Sequence, residues 1–143
     1  MKSTLSILLL GLAGLFTSQP ANACTGITLK SKDGTTIVAR TIEWGGSDLK
    51  SQYIIVPRGY TAQSYTPEGV NGMKFTARYG YVGLAVEQKE FIAEGVNEAG
   101  LSAGLFYFPS YGEYENYNAA EKENTISDLQ LVSWILGNCA TLD

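Results

Sequence analysis

Cys24 is the residue in this chain best suited to covalent chemistry, because of what precedes it. Ala21-Asn22-Ala23 is a small-residue site of the kind a signal peptidase accepts, and cutting after Ala23 makes Cys24 the mature N-terminus. One residue then carries both a thiol and a free α-amine. The chain has no histidine, which removes Ser-His-Asp and Cys-His arrangements and conventional zinc clusters. An α-amine titrates near about 7.7–8.0, so its neutral form can take the thiol proton directly or through water. The protonated amine can return that proton to a leaving nitrogen, while backbone N–H groups hold the oxyanion. Arg40 would favour the thiolate if it reached the same face.

Reaching that face depends on a hairpin. Residues 25–30 alternate apolar and polar as a strand does, Asp33-Gly34 is a strong turn signal, and Thr36-Ile37-Val38-Ala39-Arg40 returns as a β-branched strand. A two-residue Asp33-Gly34 loop puts Cys24 opposite Glu43 and Arg40 on the other face. A three-residue loop that takes in Thr35 puts Thr28 opposite Arg40, and Arg40 on the face of Cys24. A bulge would do the same. Both registers stand on the sequence alone, but only the second kind lets Arg40 act on the thiol.

Residues 1–23 read as a secretion signal: Lys2, an apolar run over residues 5–16, then the Ala-x-Ala site. The run is shorter than the roughly 20 residues of a membrane span. Export to the periplasm or medium follows as the expectation. A lipoprotein signal is the alternative, though Ala21 stands where lipoproteins usually have Leu. Losing Lys2 takes the formal charge from −4 to −5; an acidic chain without a basic cluster argues against nucleic acid and anionic membranes as partners. No glycine-rich nucleotide loop occurs and no cofactor is called for. The second cysteine, Cys139, either pairs with Cys24 or is a buried small hydrophobe, the latter preferred.

Further strands are predicted over residues 52–57, 74–86 (with a glycine break), 91–96 and 101–108, with Asn97-Glu98-Ala99-Gly100 as a turn and residues 60–72 as a loop. Together these indicate one antiparallel sheet in an α+β domain spanning residues 24–143. Residues 109–124, with Tyr111, Tyr114 and Tyr117, read as either a lid over an apolar ligand or a solvated loop. Leu129, Val132, Ile135, Leu136 and Cys139 have helical spacing over residues 128–139, with Ser127 as N-cap.

Cys24-Thr25-Gly26, Arg40-Thr41-Ile42-Glu43-Trp44, Val56-Pro57-Arg58 and Gly95-Val96-Asn97-Glu98-Ala99-Gly100-Leu101, in this order, resemble the choloylglycine hydrolase family. Its members are bile acid hydrolases and penicillin V acylases, cysteine enzymes among the N-terminal-nucleophile hydrolases. The resemblance implies that Cys24 is nucleophile and base, that Arg40 neighbours the thiol, and that Glu43 fills the slot of the Asp that binds the nucleophile's amine. It places Tyr107 at the oxyanion-hole position, where bile salt hydrolases usually have Asn and penicillin V acylases Tyr. Trp44 would line the substrate pocket or plug the sheet; Asn97 and Arg58 read as structural. The implied substrate is a small N-acylated amine: a bile acid conjugate, a phenoxyacetyl β-lactam or, third, an N-acyl homoserine lactone. A homotetramer is implied as well. Family enzymes are more than twice this length and form an αββα sandwich of two sheets. The chain therefore resembles a truncated N-terminal half, without the Asn and second Arg that the family draws from beyond it.

Overall fold

The computed structural model describes residues 24–44, 48–107 and 112–142. The predicted signal segment, 1–23, and the opening of the tyrosine-rich loop lie outside the described residues. Strands β1 (Gly26–Lys30) and β2 (Thr36–Arg40) pair antiparallel. Their loop is Lys32-Asp33-Gly34: the Ser31 N–H donates to Thr35 O at 2.9 Å and the Gly34 N–H to Ser31 O at 3.0 Å. The Asp33 carboxylate accepts the Thr35 N–H at 3.1 Å and the Ser31 hydroxyl. Gly34 has φ +88°, the left-handed conformation that closes a three-residue hairpin. The loop thus has three residues, but Lys32 rather than Thr35 is the third. Neither register expected from the sequence occurs: Arg40 pairs with Gly26, and Thr28 pairs with Val38. Side-chain alternation still leaves Cys24 on the face of Arg40.

Strands β3 (Gln52–Val56), β6 (Tyr81–Ala85), β7 (Ile92–Asn97) and β8 (Ser102–Gly104) form a four-stranded antiparallel sheet in the order β3-β6-β7-β8. The expected loop at residues 60–72 contains β4 (Thr61–Gln63), which pairs with β5 (Lys74–Thr76) as a separate small hairpin. Three residues are too few to show alternation; the ladder is backbone pairing helped by the Thr61 and Thr76 hydroxyls, 2.9 Å apart. Among the described residues, one expected sheet is therefore three separate sheets. Strand β8 is also shorter than predicted: the Leu105 N–H still reaches Ala93 O at 2.8 Å, but the Leu105 carbonyl accepts from Arg40 at 2.5 Å.

The C-terminal helix opens as a 3-10 turn (Asp128–Gln130) and continues as α1 (Leu131–Asn138). Ser127 occupies the cap position without a side-chain capping bond, a correction to its predicted role. Val132 and Leu136 of α1 pack on Val56, Ala77, Tyr81, Ala85 and Ile92. The helix can lie this close because β7 carries Gly95, where a Cβ would stand 2.7 Å from Leu136 Cδ1. Asn97 then ties the sheet to the helix end. Its Nδ2 donates to Leu136 O (2.9 Å) and Cys139 O (2.7 Å), and its Oδ1 accepts from the Ala99 and Leu101 N–H groups, each at 3.0 Å. All four bonding positions of the amide are used, as the structural reading of Asn97 expects.

The opposite face of the sheet is apolar and open, with Tyr53 84% and Ile55 82% exposed beside Val82 and Val96. Replacing Asn97 by Ala should destabilise the chain by about 2–3 kcal/mol, since buried carbonyls lose their donor; a lower urea midpoint at unchanged slope checks this. The open face should bind the dye ANS. Tyr53→Lys with Ile55→Lys should abolish most of that fluorescence without lowering the urea midpoint.

Candidate active site

Cys24 and Cys139 are both free and half-buried, so neither the disulfide nor the fully buried Cys139 is found. Cys139 sits at the extended residue that ends α1, where the chain leaves the core. Around the Cys24 thiol the structure brings together three of the predicted residues. Burial alone would push the thiol up. The Glu43 backbone N–H, the Arg40 charge, the Tyr107 backbone N–H and an Arg40 hydrogen bond outweigh it, and the thiol lies below its ordinary range.

Arg40 is held from every side. Its side chain is only 5% exposed. Nη1 donates to Ala93 O at 3.2 Å and Leu105 O at 2.5 Å, Nε to Thr41 O at 3.3 Å, and Glu94 Oε2 lies 3.6 Å from Nε. The guanidinium carbon stands 4.3 Å from the centroid of the Phe106 ring. Phe106 in turn lies against Gly26, where a Cβ would meet its Cζ at 2.7 Å. A side chain at residue 26 would displace the ring from beneath the cation.

The Glu43 carboxylate accepts the Thr41 hydroxyl at 2.8 Å. Trp44 and Tyr107 meet edge to face, with centroids 5.1 Å apart, and about half of each is exposed. Trp44 therefore belongs to an accessible aromatic pair rather than plugging the sheet. Arg58 pairs with Glu98 at 2.5 Å on the surface, and Glu98 also accepts the Gly80 N–H at 2.6 Å, a structural arrangement. Tyr117, Tyr65, Pro67 and Leu131 line one groove, to which Cys24, Arg40, Glu43 and Tyr107 do not contribute.

Sequence reasoning missed Thr41, Glu94 and Phe106. Phe106 and Glu94 carried no signal beyond strand periodicity. Thr41, a hydroxyl two residues before Glu43 in an extended segment, was recoverable from alternation alone. The thiol should be alkylated by iodoacetamide at lower pH than a free cysteine. Arg40→Gln should move that profile upward, because the thiolate loses a cation; Arg40→Lys should move it less.

The family of linear amide C–N hydrolases, choloylglycine hydrolase family, matches residues 24–143. A bile salt hydrolase/transferase of Clostridium perfringens is 26% identical over 122 residues, covering 84% of this chain and 35% of that protein. One of Bifidobacterium longum subsp. longum is 24% identical over 120 residues, covering 84% and 37%. The chain thus spans little more than a third of the length of these relatives. No solved structure gives a significant match. With the family's match running from Cys24 through the helix that Asn97 anchors, the chain belongs to the choloylglycine hydrolase family of linear amide C–N hydrolases.

Proposed function

We propose that this chain carries the nucleophile of an exported hydrolase of linear amides, in which cleavage after Ala23 arms Cys24. The α-amine takes the thiol proton, the sulfur attacks the amide carbon, and an acyl-thioester forms as the C–N bond breaks. The amine of the product leaves with the proton held by the Cys24 ammonium. Water then hydrolyses the thioester, releasing the carboxylic acid and restoring the thiol. Arg40 favours the thiolate, Glu43 binds the α-amine, and the Tyr107 N–H belongs to the oxyanion hole. Trp44 and the Tyr107 ring take the acyl group. The observation that carries this reading is the Cys24 thiol, lowered by two backbone N–H groups and a buried arginine at the residue where the family match begins.

The substrate class is a bile acid conjugate or a phenoxyacetyl β-lactam. The similarity to bile salt hydrolases/transferases supports the first. Tyr107 in the oxyanion slot supports the second, a penicillin V acylase type. The open apolar face of Tyr53 and Ile55 supports a two-sheet αββα architecture in which a second sheet covers it. The second reading, a lipoprotein, rests on the cysteine that follows Ala21-Asn22-Ala23.

Mass spectrometry of the mature N-terminus separates the two: an unmodified Cys24 is expected, and a lipid thioether on it would end the hydrolase reading. In the full-length protein, Cys24→Ser or retention of Ala23 should each reduce amide hydrolysis by about three orders of magnitude or more. Full activity with Ala23 attached would remove the amine from the mechanism.

A further inference from the structure

Glu43 has a longer side chain than the Asp whose slot it fills, so something must place its carboxylate. β2 ends at Arg40, but its pairing with the start of the chain continues through Thr41: the Thr41 N–H donates to Thr25 O at 2.9 Å. The reciprocal bond is unusual. The Thr25 N–H donates to the Thr41 hydroxyl at 3.2 Å rather than to a carbonyl. That same hydroxyl spends its single proton on Glu43 Oε1 at 2.8 Å. The backbone N–H of Glu43 meanwhile faces the Cys24 thiol. Residues 41–43 therefore bend around Cys24, with an amide towards its sulfur and a carboxylate tethered to the next residue's N–H.

We propose that Thr41 is a positioning residue whose hydroxyl fixes the Glu43 carboxylate beside the backbone that carries the Cys24 amine. This rests on the N-terminal-cysteine reading above. Both Thr41 and Glu43 are exposed, and among the described residues Thr41 is the hydrogen-bond donor to that carboxylate. Without the hydroxyl the glutamate has water as its alternative, and its side-chain torsions are free to carry the carboxylate away from the amine it should serve. The charged residues that meet the Cys24 thiol or its partners are Glu43, whose N–H faces the sulfur, Arg40 on β2, and Glu94 on β7, which pairs with Arg40. Only the Glu43 carboxylate depends on Thr41.

The test titrates the α-amine in the chain beginning at residue 24, in a Cys24→Ser background that keeps the amine and removes the competing thiol. Trace acetylation with acetic anhydride across pH, read by mass spectrometry, reports the fraction of neutral amine. Thr41→Val should move the profile to lower pH by about half to one pH unit, the scale of one carboxylate a few ångströms away at a wet surface. Thr41→Ser should restore it. Glu43→Gln should match Thr41→Val, and the double variant should shift no further. An unchanged or raised profile in Thr41→Val, failure of Ser to restore it, or additive shifts would each overturn the proposal. A hydroxyl that merely pins the strand ends would change the melting temperature and leave the amine alone. The titration needs no turnover, so it can fail while the hydrolase reading stands, and the reverse.

Discussion

A buried arginine holds this structure together where its chemistry lies. Removing a guanidinium from water costs several kcal/mol, and that cost is offset only when its donors are satisfied and its charge is faced. Arg40 meets both conditions with groups from two places: the Ala93 carbonyl and Glu94 carboxylate of β7, and the Leu105 carbonyl and Phe106 ring after β8. Two hydrogen bonds of this side chain cross from the β1–β2 hairpin to β7 and the segment after β8, where the Tyr107 N–H also meets the Cys24 thiol. Apolar packing does little here, since Ile27, Leu29 and Ile37 remain about half exposed. The core that α1 builds on the sheet lies at the other face, and Asn97 secures it independently.

Local signals carried most of the strand positions. β1, β2, β3 and β7 follow from alternation and β-branched residues, and Gly34 and Gly100 turn where positive φ is needed. Register was less accessible, because it turned on whether Lys32 or Thr35 joined the loop. Both choices keep Asp33-Gly34 at the tip, and the Asp33 bonds to Ser31 and Thr35 decide between them. The parity of the pairing was nonetheless the quantity that mattered, since it alone decides whether Arg40 and Cys24 share a face.

The site was legible as residue types and not as partners. Cys24, Arg40, Glu43 and Tyr107 stand out through thiol chemistry and family resemblance, and the structure gathers them. Phe106 and Glu94 read as ordinary strand residues, because their role is to meet a side chain more than fifty positions away from Glu94 and further still from Phe106. Long-range polar contacts of this kind leave no periodic trace. The small β4–β5 hairpin escaped for a related reason: three paired residues are too short to show a period.

The dependence of the thiol on Arg40 has a consequence for how reactivity arises. The guanidinium that lowers the thiol is the one that docks the hairpin, so the two free energies are linked. An undocked hairpin loses the Tyr107 N–H and the fixed position of Arg40, so its thiol is less acidic than that of the docked one. By the same linkage, ionising the thiol tightens the dock. The acidity of the Cys24 thiol is therefore in part a report on assembly, because the contacts that dock the hairpin also hold the cation beside it.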